Sequence, residues 1–306
     1  MDNDTLIPVL AIGTIVVATV IAVWQRTRVA QKKHDPKRSA VIAFGGGFHG
    51  RTLMGMALTG KVAPYKLGFG PFPGEVYHAL FPNALHGVSV DDAIASVEQI
   101  FKNDIEASRV AAIILEPVQG EGGFYVASPA FAQRLRALCD QHGILLIADE
   151  VQTGAGRTGT FLACEQWGVA PDIITMAKAL TNGALPMGAV AVSEKIYHTV
   201  TSSALDGAVE FFHGYTYSAH PAACAAGIAA LDVYEKEGLF ERAAEMSPYF
   251  LDRMYSLQGV KAVTDIRGYG MLCGIDLAPA ARPGQGLAGA CVARAHGFRA
   301  TVRGPA

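Results

Sequence analysis

The apolar positions of this chain change their period along its length. Residues 6–24 run for nineteen positions without a charge. As a helix they would extend roughly 28 Å at about 1.5 Å per residue, close to the thickness of bilayer hydrocarbon. A membrane-anchor-like helix is therefore expected within residues 1–24. Asp2 and Asp4 precede it, and Arg26, Arg28, Lys32, Lys33, Lys37 and Arg38 follow it. The positive-inside bias then places the remainder in the cytoplasm. Residues 25–39 read as a basic linker. From Ala40 short apolar runs alternate with segments of helical spacing. Residues 41–44, 110–118, 144–151, 172–177 and 187–192 read as strands. Residues 90–107 carry Ile94, Val97, Ile100, Phe101 and Ile105 at helical spacing. Ser128 and Pro129 open a second helix, with Ser128 as N-cap and Pro129 at N1, and Gly143 closes it. Residues 222–237 and 239–257 read as two more helices. Residues 263–267 and 271–277 read as strands around Gly268-Tyr269-Gly270, and residues 60–85 read as a long irregular segment.

Continuous apolar strands alternating with helices imply an α/β fold with a mainly parallel sheet covered on both faces. The expected organisation is a large domain over residues 40–237, the start of a small C-terminal domain over 238–279, and an unassigned tail, 280–306.

Composition narrows the class. Apolar residues make up 51% of the chain and charged residues 17%, a balance that suits a folded protein with much buried surface. A net charge of −2 supplies no field that would recruit nucleic acid. The five cysteines, Cys139, Cys164, Cys224, Cys273 and Cys291, form neither a CxxC pair nor a His/Cys cluster. No zinc site is expected, and the thiols read as reduced.

The candidate chemistry sits at strand ends, where open α/β sheets bind ligands. Lys178 follows Ile173-Ile174-Thr175-Met176-Ala177. An amine partly desolvated there has a lowered pKa and can attack a carbonyl, which is what a Schiff-base lysine requires. Asp149 ends another apolar strand, and a buried carboxylate needs a cationic partner; a pyridinium nitrogen is one. An aromatic at Phe48 could cover one face of a flat cofactor and Val151 the other. Arg51 could grip a carboxylate bidentately. Taken singly, Phe48 reads as a core ring, His49 as a surface histidine and Arg51 as a solvated cation.

Five motifs lie in one order: Gly47-Phe48-His49-Gly50-Arg51-Thr52, Glu116-Pro117-Val118-Gln119-Gly120-Glu121-Gly122-Gly123, Ile147-Ala148-Asp149-Glu150-Val151-Gln152-Thr153-Gly154, Gly156-Arg157-Thr158-Gly159 and Met176-Ala177-Lys178. By these the chain resembles the class III aminotransferases of the fold-type I pyridoxal-phosphate superfamily, over roughly residues 41–278. Residues 41–159 resemble 4-aminobutyrate aminotransferase. Residues 156–279, through the run 181–189 and the run 213–221, resemble omega-amino-acid–pyruvate aminotransferase. The chain is then an unusual member or a chimera.

The resemblance implies roles. Lys178 would bind pyridoxal 5'-phosphate and move the proton, and Asp149 would pair with the pyridine nitrogen. Phe48 and Val151 would sandwich the ring, and Gln152 would bond its phenolic oxygen. Thr216 would reach the phosphate in a neighbouring subunit, implying a homodimer. Arg51 would bind the distal carboxylate of the substrate, and Glu121 would partner a switching arginine. The implied reaction moves an amino group from an omega-amino acid to a keto acid. Two alternatives stand beside it: racemisation or decarboxylation on the same fold, and an inactive membrane-anchored remnant. The remnant follows from two missing parts. The family's phosphate-holding Gly/Ser/Ala turn is not recognised before residue 41, and the family's C-terminal domain continues past residue 277.

Overall fold

The computed structural model describes residues 10–12, 38–202, 211 and 213–278. Its strands are β1 (Leu10–Ile12), β2 (Ala40–Phe44), β3 (Val76–Ala79), β4 (Val110–Leu115), β5 (Val118–Gln119), β6 (Tyr125–Val126), β7 (Leu145–Asp149), β8 (Ile173–Met176), β9 (Gly188–Val192), β10 (Val263–Tyr269) and β11 (Leu272–Leu277). Its α-helices are α1 (Leu53–Leu58), α2 (Val90–Asn103), α3 (Pro129–His142), α4 (Glu194–Thr201), α5 (Pro221–Lys236) and α6 (Leu239–Tyr255).

Seven strands form one sheet in the order β1-β9-β8-β7-β4-β2-β3. The pairs β3/β2, β2/β4, β4/β7 and β7/β8 are parallel, and β8/β9 and β9/β1 are antiparallel. The mainly parallel α/β fold expected from the sequence is present. Its physical basis is visible in the alternation along each central strand. Ile42, Phe44, Ile113 and Leu115 enter one apolar cluster with Phe131 and Leu135 of α3 and Val97 and Ile100 of α2. Val41, Ala43, Ala112 and Ile114 enter a second with Leu58 of α1 and Ile196 and Val200 of α4. Neighbouring residues on a strand point to opposite faces, so both faces are covered.

Local chemistry fixes the helix ends. In α3 the Ser128 side chain accepts from the Phe131 N–H, Pro129 occupies the first turn, and Gly143 closes it at φ 64°. In α2 Ser89 and Asp92 form a reciprocal capping box, which satisfies two donors that the first turn would leave unpaired.

Several expectations need correction. Leu10–Ile12 belong to the run expected as a membrane helix, yet they form an edge strand, with Leu10 opposite Val190 and Ile12 opposite Gly188. A uniformly apolar run suits a buried strand as well as a helix, and here β9 offers it a partner. Among the described residues no helix is long and apolar enough to cross a membrane; the rest of 6–24 lies outside them. Arg38, assigned to the basic linker, donates to the carbonyls of Val110 (2.8 Å), Gly143 (3.0 Å) and His142 (2.8 Å). It ties the start of β4 to the C-terminal end of α3, whose last carbonyls lack helical partners. The irregular segment 60–85 holds β3, and the short helix α4 follows β9 unforeseen. The expected strand 110–118 stops at Leu115, where Glu116-Pro117 turns the chain.

The final hairpin, β10–β11, packs on the motifs. Arg267 grips Asp276 with two hydrogen bonds of 3.0 Å, donates to the Gly123 carbonyl, and lies 4.5 Å above the Tyr125 ring. The Gly156-Arg157-Thr158-Gly159 turn meets the same region: the Met271 N–H donates to the Arg157 carbonyl at 3.0 Å. Gly156 has φ +91°, and a Cβ there would stand 2.4 Å from the Phe240 ring of α6. Gly156→Ala is therefore expected to lower stability by about 1–3 kcal/mol through overpacking and left-handed backbone strain, read as a lowered urea midpoint.

Candidate active site

The site is assembled at the carboxyl ends of β2, β4, β7 and β8. Because β7 and β8 are parallel neighbours, with Asp149 directly opposite Thr175, the acid ending one and the lysine following the other come from adjacent strand ends. The Asp149 side chain is buried, at 4% exposure. Its Oδ2 accepts from His49 Nδ1 at 2.8 Å, and its Oδ1 accepts from Thr175 Oγ1 at 2.9 Å and from the Val151 N–H at 3.2 Å. A carboxylate oxygen accepts two hydrogen bonds, so Oδ2 keeps capacity for a second donor such as a pyridinium N–H.

His49 is corrected here. It is no surface residue but a buried one, 3% exposed. Burial works to lower its pKa, but the hydrogen bond to Asp149 and the charges of Asp149 and Glu116 outweigh burial and raise it. Nothing local in Gly47-Phe48-His49 signals this, since the carboxylate lies 100 residues away.

Lys178 lies one residue beyond β8, after Ala177, and starts a one-turn 3₁₀ segment, Lys178–Thr181. Its side chain is exposed rather than desolvated, and its Nζ donates to Gln152 Oε1 at 3.4 Å. Its φ is +52°. Left-handed backbone at a side chain this long is uncommon and marks a position held by its surroundings. Gln152 is half-buried on Gly120, where a Cβ would meet its amide at 2.4 Å. A side chain at 120 would push the Gln152 amide aside, so the bare backbone of Gly120 lets the second and third motifs close on each other with Gln152 in this place.

Phe48 lies half-buried on the turn after β2, and its N–H donates to Glu116 Oε2 at 2.9 Å. Its ring centroid is 5.0 Å from that of Tyr65. The Arg51 guanidinium stands 5.9 Å from the Phe48 ring and 5.5 Å from the Tyr65 ring. Glu121 Oε2 accepts from the Tyr65 hydroxyl at 2.8 Å. Val151 is half-buried beside Asp149. Thr216 is exposed on the 213–220 turn, where Ser218 Oγ accepts from the Tyr215 N–H at 2.8 Å. The structure thus gathers Lys178, Gln152, Asp149 and Val151 in one hydrogen-bonded or adjoining group, and Phe48, Arg51 and Glu121 in another around Tyr65. Thr216 has no place in either.

Sequence reasoning missed His49, Thr175, Glu116 and Tyr65 as site residues. Thr175, the one polar residue inside an apolar strand, carried a usable signal. Glu116 is buried, 5% exposed, and its Oε1 also accepts from the Gly120 N–H, at 3.2 Å. Burial pushes its pKa up to about 7, the nearby His49 and the two N–H donors opposing. A carboxyl whose folded pKa is raised favours the fold fully below its unfolded value, about 4.5. That contribution is lost as pH rises to about 7. Glu116→Gln is expected to flatten this decline between about pH 4.5 and 7 in a series of urea titrations.

The fold and this site define a class of protein. A family model described as aminotransferase class-III matches residues 9–297, and the chain belongs to the class-III aminotransferases. The match takes in residues 9–24 of the segment expected as an anchor and much of the unassigned tail. The 5-aminovalerate aminotransferase of Pseudomonas aeruginosa is 52% identical over 241 residues, 78% of this chain and 54% of the relative. The 4-aminobutyrate aminotransferase of Escherichia coli is 50% identical over 242 residues, covering 79% and 55%. The beta-alanine–pyruvate aminotransferase of Pseudomonas aeruginosa is 42% identical over 254 residues, covering 81% and 56%. These alignments are longer than either of the two stretches that resemble different branches. A solved amine transaminase from an uncultivated Pseudomonas species, in its pyridoxal-phosphate-bound form, superposes with a TM-score of 0.82 at 32% identity, covering 90% of this chain and 63% of that one. The chain spans about half the length of the curated relatives it matches.

Proposed function

We propose that this chain binds pyridoxal 5'-phosphate and transfers an amino group from an omega-amino acid, of the 4-aminobutyrate, 5-aminovalerate or beta-alanine kind, to a keto acid. What carries this proposal is the placement of Asp149 and Lys178 on adjacent parallel strand ends, with Gln152 hydrogen-bonded to the lysine. The relatives' names and the family membership support the substrate class.

The residues present fit the cofactor. Asp149 offers a buried carboxylate with acceptor capacity, oriented by His49, Thr175 and the Val151 N–H. Phe48 and Val151 would flank the ring, and Gln152 would reach its phenolic oxygen. When bound, the cofactor supplies an aldehyde that takes up the amino group and a ring that accepts electrons. Lys178 would hold the aldehyde covalently and then carry a proton to and from the substrate carbon. Asp149 would keep the ring nitrogen protonated. Arg51 would fix the distal carboxylate, and Glu121 would serve an arginine that changes partner. Thr216, exposed here, would complete the site of a second copy across a homodimer. We further propose a large domain through residue 237 and a small one beyond it. The free thiols of Cys139, Cys164, Cys224 and Cys273 suit a reducing compartment.

The test has two parts. The chain is incubated with pyridoxal phosphate, reduced with borohydride, weighed intact and peptide-mapped. One cofactor mass per chain on the Lys178 peptide is expected; no incorporation overturns the proposal. Product analysis with 4-aminobutyrate, with and without pyruvate, should show alanine only when pyruvate is present. Amine loss without an acceptor would point to a different reaction.

A further inference from the structure

Tyr65 belongs to the long segment after α1 expected to be irregular over residues 60–85, and it touches three residues of the site. Its side chain is almost buried, 9% exposed. Its hydroxyl donates to Glu121 Oε2 at 2.8 Å, its ring lies 5.0 Å from Phe48, and Arg51 stands 5.5 Å from its centroid. One phenol therefore meets an acid at its edge and a base at its face. Arg51 has a second ring, Phe48, at 5.9 Å. Arg51 is exposed, and a guanidinium, less strongly hydrated than an ammonium, can stack beside aromatic rings while its fork takes a carboxylate bidentately. The Glu121 carboxylate is the natural competitor for that fork. On the Tyr65 hydroxyl it is already engaged in a charge-assisted hydrogen bond.

We propose that Tyr65 is a specificity-determining positioning residue: its hydroxyl retains Glu121 and its ring seats Arg51, so that the arginine takes the distal carboxylate of the amino substrate rather than the protein's own acid. This rests on the assignment of Arg51 to that carboxylate. Removing the hydroxyl releases Glu121 to neutralise Arg51, while removing the ring also removes the seat.

The experiment uses the full chain reconstituted with pyridoxal phosphate. The probe is pentanedioate, which carries the carboxylate but no amine and cannot react. Its affinity is measured by calorimetry for the wild type, Arg51→Gln, Tyr65→Phe, Tyr65→Leu and the double variant Tyr65→Phe/Glu121→Gln, with KM and kcat for 4-aminobutyrate alongside. Tyr65→Phe should weaken the probe about tenfold, the scale of one charge-assisted hydrogen bond, and raise KM in step with kcat little changed. Tyr65→Leu should weaken it further. In the double variant the neutral amide cannot compete, and affinity should return towards the wild-type value, a recovery that a merely structural tyrosine would not give. If Arg51→Gln weakens the probe while Tyr65→Phe does not, or if the double variant shows no recovery, the role of Tyr65 is overturned and that of Arg51 stands. If Arg51→Gln has no effect, or the wild type does not bind the probe, both fall.

Discussion

Lys178→Ala is expected to abolish borohydride fixation of the cofactor and to lower transaminase turnover by at least about 10⁴-fold. Proton transfer by a placed base contributes about 10²–10⁴ on its own, and here the same amine is assigned the covalent attachment. Lys178→Arg is the sharper control. It keeps the positive charge beside Gln152, but a guanidinium does not lose its proton and cannot serve as the nucleophile. Both variants should fold. Lys178 is exposed, and its hydrogen bond to Gln152 is long at 3.4 Å, so its removal should stay within about 0.5 kcal/mol. Unchanged thermal melting together with lost incorporation is the expected pair of results. Incorporation that persists on another lysine would displace Lys178 from its role.

Asp149→Ala should harm both activity and fold. The carboxylate answers three donors in a buried site: His49 Nδ1, Thr175 Oγ1 and the Val151 N–H. Removing one member of a buried pair costs about 3–5 kcal/mol, because the other is left uncompensated. Turnover should drop as the ring nitrogen loses its partner. Asp149→Asn separates the two effects, since it keeps the shape and an acceptor but not the charge. Its stability should recover in part, while its turnover should not. It also predicts a pH signature. His49 has a pKa raised above 6.5 by Asp149 and Glu116 against the opposing effect of burial. The pair therefore contributes fully below about 6.5 and loses that contribution as pH rises through the folded value. In Asp149→Asn burial prevails and this decline should vanish, read from urea midpoints across pH about 6 to 9. A wild-type slope that survives in the variant would place the titration elsewhere.

How much was legible depended on how local the cause was. Helix α3 could be read almost to the residue, because Ser128, Pro129 and Gly143 carry its boundary chemistry within a few positions. Strand β3 could not, because four residues with an exposed His78 give little alternation and its pairing with β2 is made across the fold. Within the apolar run at 6–24, Leu10–Ile12 departed from the expected helix for the same reason. Apolarity states that a segment avoids water, and only the open edge of β9 makes Leu10–Ile12 a strand. Asp149 and Lys178 were singled out as candidates because one ends an apolar strand and the other closely follows one, and Arg51 and Glu121 because they stand in motifs that carry the family resemblance.

The amino-acid sequence alone determined the alternation of strands and helices and the covered, mainly parallel sheet, and it singled out the two groups proposed for the cofactor. These follow from side-chain period and from charges stranded at the ends of apolar runs. The tertiary structure alone decided that His49 is buried against Asp149, that Tyr65 joins Glu121 to Arg51, and that Arg38 serves a helix end. Each of these is a contact between residues far apart in the chain. A polar side chain carries no mark of its distant partner, and it acquires burial, orientation and a shifted pKa only when the sheet brings that partner within hydrogen-bonding range.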